Sequence, residues 1–586
     1  MIAGRPARPA PSFITQVAIV CTVVLCYVTA LAGGWTLDDP YVILGNPLVH
    51  TPTVIWAAFT HPYWPAGLGW GQYRPLVILA FALDWAVSSG APWWFHLVNL
   101  AWHAAASILV WRLARALLPS PEALPGAVVA ALWFAVQPVH VEAVASIVGR
   151  SDIMAATFVL AGLLAHRQGQ RRAIMWYALA LGSKESGAVL VGLALCYDIL
   201  CTPDWRATLA ARRHLYVGYL LVLAGYGAAL AMLFQGKELV QPALLWVGMP
   251  AIDRWLTMCA VIPHYVRLML VPAQLLVDYG PAVVEPQYGL TVPVGLGVAF
   301  LAAWIAGVVA ARRAAPAVAF GLLWFAVSVA PIANVLFASG VVLAERTLYL
   351  PSVGVALVMG WAADRLLTTR PPVARVALAA AALLLVVRTW TRIPLWHDNK
   401  SVIVGSLIDE PDSYRMHALA AVALVQGGHW REAGAQYASA RHFYTKDPRS
   451  YRAGAECALA LHEPLTALAL LDSAIAIAPT DATPMLRVAD VRASLGDWHG
   501  ALVAARRAYG LAPDSLRAVQ LVQIAGGHLG DTAVVDTTFR RALADHPNDP
   551  RLRLAYATIL HQRGDTAGAF RVGLPGIGTL MRDARQ

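Results

Sequence analysis

The chain has 586 residues, 58% of them hydrophobic and 13% charged, against about 25% charged in an average soluble domain, which excludes a single soluble globule. Residues 1–394 carry 24 Lys+Arg and 15 Asp+Glu, whereas residues 395–586 carry 20 and 19. The basic excess thus belongs to the apolar two thirds and reads as a membrane-topology signal rather than a nucleic-acid surface.

In chain order, residues 12–32 form an apolar run long for the hydrophobic region of a signal peptide and without a clear small-residue exit, so they read as a first membrane helix. The loop of about 33–94 is too long for a connector and contains its own amphipathic piece at 75–87, as functional loops do. Further apolar segments lie at 95–117, 124–144, 153–166, 173–182, 187–201, 215–234, 255–277, 290–311, 316–337, 348–367 and 373–390. Arg5/Arg8, Arg112/Arg115, Arg167/Arg171/Arg172, Arg206/Arg212/Arg213, Arg312/Arg313 and Arg365/Arg370/Arg375 fall at alternate segment ends, which the positive-inside rule places in the cytoplasm. The other loops hold 11 of the 15 acids, Glu238 among them, and so face outward. An even number of spans would return the chain inside. The segment 255–277, flanked by Asp253 and Asp278, is therefore expected to be re-entrant or surface-lying, leaving about 11 spans and an extracytoplasmic C-terminal domain. The six cysteines are too few and too scattered to imply a disulfide framework or a metal site.

Residues 395–586 repeat with a period of 34: Ala440, Ala474, Ala508 and Ala542 share a register, as do Gly428, Gly496, Gly530 and Gly564, and Ala433, Ala467, Ala501 and Ala569. Pro479, Pro513 and Pro547 close three units. This is the tetratricopeptide pattern, with four repeats starting near Tyr414, Pro448, Ala482 and Leu516 and a partial one from Pro550. Such an α-solenoid offers a concave surface to peptides or partner proteins; an inert stabilising cap is the plainer alternative.

The expected outer loops collect polar residues whose burial near apolar helices is expensive. They are Asp38-Asp39 with Asn46, Arg74 within Gln72-Tyr73-Arg74-Pro75, His96 with Asn99 and His103, His140 with Glu142, Arg150 with Asp152, Lys184-Glu185, Asp278 and Glu345-Arg346. An acidic pair suits a general base, and fixed Arg and Lys suit a phosphate leaving group. Each also has an architectural reading. Asp38-Asp39-Pro40 suits a turn, His140 and Glu142 a helix cap, and Arg150 with Asp152, Lys184 with Glu185, or Glu345 with Arg346 an ion pair; His96, Asn99 and His103 suit an interhelical polar seam.

The motifs Thr36-Leu37-Asp38-Asp39-Pro40-Tyr41, Tyr73-Arg74-Pro75-Leu76, Phe95-His96-Leu97-Val98-Asn99, Gln137-Pro138-Val139-His140-Val141-Glu142, Gly149-Arg150-Ser151-Asp152, Ser183-Lys184-Glu185-Ser186 and Ala344-Glu345-Arg346-Thr347 resemble the transmembrane and tetratricopeptide-repeat O-mannosyltransferases over nearly the whole chain. The resemblance implies an all-α polytopic bundle of the GT-C glycosyltransferase class at 1–394, followed by the repeats at 395–586. It further implies transfer of a hexose, mannose in those relatives, from a polyprenyl-phosphate donor to Ser or Thr hydroxyls of exported proteins, with inversion. Asp38 and Asp39 match the family's acidic pair, where the base is placed. The donor's phosphate and sugar are assigned to Arg74, His140, Glu142, Arg150, Asp152, Lys184, Glu185, Glu345 and Arg346, with Asn46, His96 and Asp278 as further site candidates. No cofactor beyond the lipid-linked sugar is implied, and a divalent metal stays open. With four Lys among 44 basic residues and much Ala, a bacterial inner membrane is expected, with site and repeats on the periplasmic face. The alternatives are a GT-C-like oligosaccharide ligase or polymerase, disfavoured by the short late loop 337–347, and a non-catalytic membrane scaffold with peptide-binding repeats.

Overall fold

The computed structural model describes residues 11–65, 71–118, 124–235 and 242–583; Arg5, Arg8 and Glu238 lie outside them. All regular structure among the described residues is helical. The chain divides into two compact units, Met1–Ser413 and Tyr414–Gln586.

At the centre of the first unit stands the helix Ile147–Arg167, whose most apolar stretch is 89% buried. Arg172–Ser183 and Pro92–Leu117 pack on it. By contrast Trp205–Phe234, Val292–Ala314 and Pro371–Trp396 bury only 11% of their apolar windows and turn Leu221, Leu301 and Leu384 outward. A helix apolar all round yet unburied by protein is one that lipid covers.

Among the described residues six helices are long and apolar enough to cross a membrane by length and composition, or seven if the pair Pro125–Ala135 and Pro138–Ala145 is one span broken by a 46° bend. The bend is written in the sequence. Pro138 cannot donate a helical hydrogen bond, and Gln137 before it is extended (φ −68°, ψ 120°). The eleven expected spans include segments that form shorter helices, such as Arg172–Ser183 and Leu190–Cys201 at 12 residues each. Twelve residues reach about 18 Å, well short of a hydrocarbon core of about 30 Å. The segment 316–337 becomes the helix Pro316–Val329, which stops just before Pro331. Segment 255–277 forms the helix Ala251–Leu270, with Pro263 inside it.

The division between units falls after Ser413, not at the charge step near Leu395. Ile393, Trp396 and Val402 are buried in the core of the first unit, and the helix Asn399–Asp409 packs on Ile393–Trp396. Composition marks where exposure rises, and this helix exposes one side while burying Val402, Ile403 and Ser406.

The second unit consists of five helix pairs whose first helices begin at Tyr414, Pro448, Ala482, Leu516 and Pro550. The fifth is a full pair, Pro550–Gln562 with Thr566–Asp583, where a partial repeat is expected from sequence. The register alanines Ala433, Ala440, Ala467, Ala474, Ala501 and Ala508 are buried at the helix crossings. Asp447, Asp481 and Asp549 accept from the second residue beyond them, and Ser515 from the third, capping the first helices of the later repeats. Between paired helices the chain turns through a left-handed residue: Gly428, Gly496, Gly530 and Gly564 in four repeats, His462 (φ 61°) in the second. A side chain there costs about 1–2 kcal/mol, offset in part by the conformational entropy that glycine loses. His462→Gly is expected to stabilise the Pro448–Ile477 pair by about 0.5–1 kcal/mol, read as slower hydrogen exchange of its amides in the full chain.

Candidate active site

The first helix, Pro11–Tyr27, runs on as Val28–Ala32 and delivers the acidic loop. Two hydrogen bonds clamp that loop: Gly34 N–H donates to the His397 carbonyl at 2.7 Å, and Leu37 N–H to Asn399 Oδ1 at 2.6 Å. Between them Leu37 sits at φ 46°, a left-handed conformation unfavourable for a leucine that persists only when its surroundings enforce it.

The two aspartates then divide. Asp39 is fully buried: its Oδ2 accepts from Thr36 N–H (2.9 Å) and Thr36 Oγ1 (3.1 Å), and its Oδ1 from Val148 N–H (2.8 Å). Burial pushes its carboxyl up to about 7 against these bonds, which pull it down. Asp38 is half-buried, and no side chain or backbone N–H among the described residues bonds its carboxylate.

Three cations of the cluster are each held by their own carboxylate. Arg74 grips Glu185 with Nε at 3.1 Å and Nη2 at 2.7 Å. Lys184 Nζ lies 2.7 Å from both oxygens of Asp152. Arg346 donates to Glu142 from its backbone (2.8 Å) and from Nη1 (3.2 Å). Arg346 lies within electrostatic range of Asp38, Asp152 and Arg74, and it is the most open of the three cations, its side chain 28% exposed.

Residues adjacent in sequence thus part company. Lys184 and Glu185 do not pair with each other, because Lys184 is extended (φ −161°, ψ 146°) and successive side chains there point apart. Glu345 turns away from Arg346, accepting from Leu276 N–H (2.6 Å) and Tyr279 OH (2.9 Å) with Arg392 at 3.6 Å; burial raises its carboxyl to about 7. Arg150 does not pair with Asp152. It is fully buried, bonding Asp84, Asn99 Oδ1 (2.7 Å) and the Phe95 carbonyl (2.8 Å).

Arg150, Glu345 and His140 are all fully buried with internal partners, His140 with its Nε2 2.8 Å from Ser352 Oγ. Asn46 caps the short helix Pro47–His50, accepting from Leu48 N–H at 3.1 Å. Asp278 accepts from Ser413 Oγ at 3.1 Å, and His96 is buried against Gly33. Asn99 and His103 form the interhelical seam: Asn99 Nδ2 donates to the carbonyls of Val144, Ser146 and Ile147, and His103 meets Tyr349 OH at 2.7 Å. Among the described residues no group of three His, Cys, Asp or Glu could hold a metal ion. Sequence reading missed Tyr63, whose ring lies 5.0 Å beneath the Arg74 guanidinium; a lone tyrosine in a long loop carries no spacing signal.

An asparagine in place of Asp39 cannot accept at both oxygens, so Asp39→Asn is expected to lower stability by about 1–3 kcal/mol, while Asp38→Asn stays within about 0.5 kcal/mol of wild type. Because the folded carboxyl of Asp39 titrates at about 7, above its unfolded value, its contribution is fully present below about pH 4 and lost as pH rises through 7. Thermal unfolding of detergent-solubilised protein between pH 4 and 8 should show that component in wild type and not in Asp39→Asn.

No family model matches the chain. Among curated proteins it is 24% identical over 425 residues to protein O-mannosyl-transferase F38B6.6 of Caenorhabditis elegans, covering 71% of this chain and 60% of that one. It is 26% identical over 392 residues to the human protein O-mannosyl-transferase TMTC3, covering 58% and 42%. A shorter match to Drosophila melanogaster Tmtc2 reaches 38% over 150 residues, covering 25% and 16%. The chain thus spans about half the length of the curated relatives it matches. Among solved structures, YrrB, described as a TPR protein with an unusual peptide-binding site, matches at 12% identity over 30% of this chain and 91% of that one, with a TM-score of 0.26, too low to carry a statement about fold. The chain is similar, over its membrane part and into its repeats, to proteins named protein O-mannosyl-transferases.

Proposed function

We propose that the chain transfers a mannose from a polyprenyl-phosphate-linked donor to Ser or Thr hydroxyls of exported proteins, at a membrane face it shares with a bundle of GT-C type. The observation that carries the reading is the division of labour in the acidic loop: of the acids assigned to the site, Asp38 alone keeps a carboxylate without a protein partner. Asp38 takes the proton of the acceptor hydroxyl as its oxygen attacks the anomeric carbon. The bond from that carbon to the donor phosphate breaks, and polyprenyl phosphate leaves with the electron pair. A single displacement inverts the anomeric centre and needs one base and no carboxylate nucleophile. Arg346, within electrostatic range of Asp38 and partly open, stabilises the charge that develops on the leaving phosphate. Asp39 holds the loop and takes no proton from the acceptor. The repeats present the acceptor or a partner protein. The bacterial inner membrane, with this face toward the periplasm, remains the setting that composition supports.

The test is transfer of labelled mannose from a synthetic polyprenyl-phosphate donor to exported proteins by full-length protein in vesicles. Asp38→Asn is expected to lose about 10²–10⁴-fold in kcat with wild-type stability. Wild-type rates in that variant would sink the assignment, and no transfer by the wild type from any single-sugar donor would sink the function.

A further inference from the structure

Tyr63 sits in the connector before the helix Pro75–Ser88, held by one backbone hydrogen bond and two ring contacts. Its backbone N–H donates to the Gln72 carbonyl at 2.8 Å. Its ring meets Trp64 edge-on, with centroids 5.9 Å apart. The Arg74 guanidinium, itself gripped by Glu185, lies over it at 5.0 Å. Tyr63 is 2% exposed, and its hydroxyl has no hydrogen-bond partner.

Burying an unpaired hydroxyl is costly, and several other buried tyrosines avoid it. Tyr73 donates to the Phe59 carbonyl, Tyr279 to Glu345, and Tyr349 meets His103. Tyr177 and Tyr509 are unpaired as well, but Tyr63 differs in its company: the charges of Arg74, Arg346, Asp38 and Asp39 all act on its hydroxyl. A fixed donor beneath the Arg74 guanidinium, on which the charge of Arg346 also acts, suits an anionic oxygen.

We infer that the Tyr63 hydroxyl is a substrate-binding group, donating a hydrogen bond to a phosphate oxygen of the lipid-linked sugar beside Arg346 and Arg74. Burial keeps the phenol protonated, so it remains a donor across the physiological range. The bond strengthens as the phosphate takes up the charge of the broken glycosyl bond. This inference rests on the donor class proposed above.

The experiment compares full-length wild type, Tyr63→Phe and Tyr177→Phe, the last removing a buried unpaired hydroxyl elsewhere. Unliganded Tyr63→Phe should unfold at or above the wild-type temperature, because an unsatisfied donor is removed. Its kcat/KM for transfer should fall about tenfold to a hundredfold, the effect of losing a hydrogen bond to a charged group. Its thermal stabilisation by a short-chain polyprenyl phosphate without sugar should fall in parallel, while Tyr177→Phe matches wild type in both. Lost binding in a folded Tyr63→Phe supports the inference even where no sugar is transferred, so failure of the transferase reading is seen separately. Wild-type kcat/KM and binding in Tyr63→Phe would overturn it, as would a destabilised Tyr63→Phe or a wild type that binds no polyprenyl phosphate.

Discussion

A charge placed among apolar helices costs several kcal/mol unless another charge or a set of hydrogen bonds meets it there. The helix Ile147–Arg167 obeys this at both ends. Arg150 is locked to Asp84, Asn99 and Phe95. One residue from its other end, His166 joins Tyr219 OH (3.0 Å) and Asp198 (3.1 Å), where Arg212 and Tyr216 also converge. The two knots are about 24 Å apart along one helix and between them bind Pro75–Ser88, Pro92–Leu117, Leu190–Cys201 and Trp205–Phe234. Neither could lose one partner without stranding another.

The same constraint orders the candidate site. Arg74, Lys184 and Arg346 each stand on a carboxylate from a different element, so they arrive oriented and with some of their donors occupied. Asp39 spends both oxygens on the backbone and hydroxyl around it. Within electrostatic range of one another, the Asp38 carboxylate, the open side of Arg346 and the Tyr63 hydroxyl remain uncommitted, while His96, His140 Nδ1 and Glu345 Oε2 are unpartnered elsewhere in the cluster. Spare valences beside an open cation are where a ligand can use them.

Much of this was legible in the sequence. The repeat starts follow from small residues at 34-residue spacing, because crossing distance depends on side-chain size at those positions. The membrane helices follow from apolar runs, and the residues of the polar cluster from their concentration in the loops. What could not be read was who pairs with whom. Arg150 with Asp152 and Lys184 with Glu185 are the natural pairs on paper, yet local backbone direction sends them to Asp84, Asp152 and Arg74. Pairing is a property of three-dimensional neighbours, and one extended residue at Lys184 suffices to redirect it. Tyr63 was invisible for the same reason: its meaning lies in what surrounds it. The boundary at Ser413 was hidden because a half-exposed helix has the composition of a soluble domain while resting on the first core.

The clamp on the acidic loop also bears on how the molecule is made. Leu37 and Asn399 are 362 positions apart, and Gly34 is likewise held by His397. Contacts of such long separation form late, after the entropy of closing the intervening chain has been met. A chain growing from its N-terminus inserts its first helix and completes the acidic motif early, but the groups that hold Leu37 in its left-handed turn do not exist until the last apolar helix of the unit has been synthesised. A nascent or truncated chain ending before His397 would carry Asp38, Arg74, Lys184 and Arg346 and still lack the clamp that fixes the loop bearing Asp38. The fold thereby ties the geometry of the acidic loop to completion of the whole first unit.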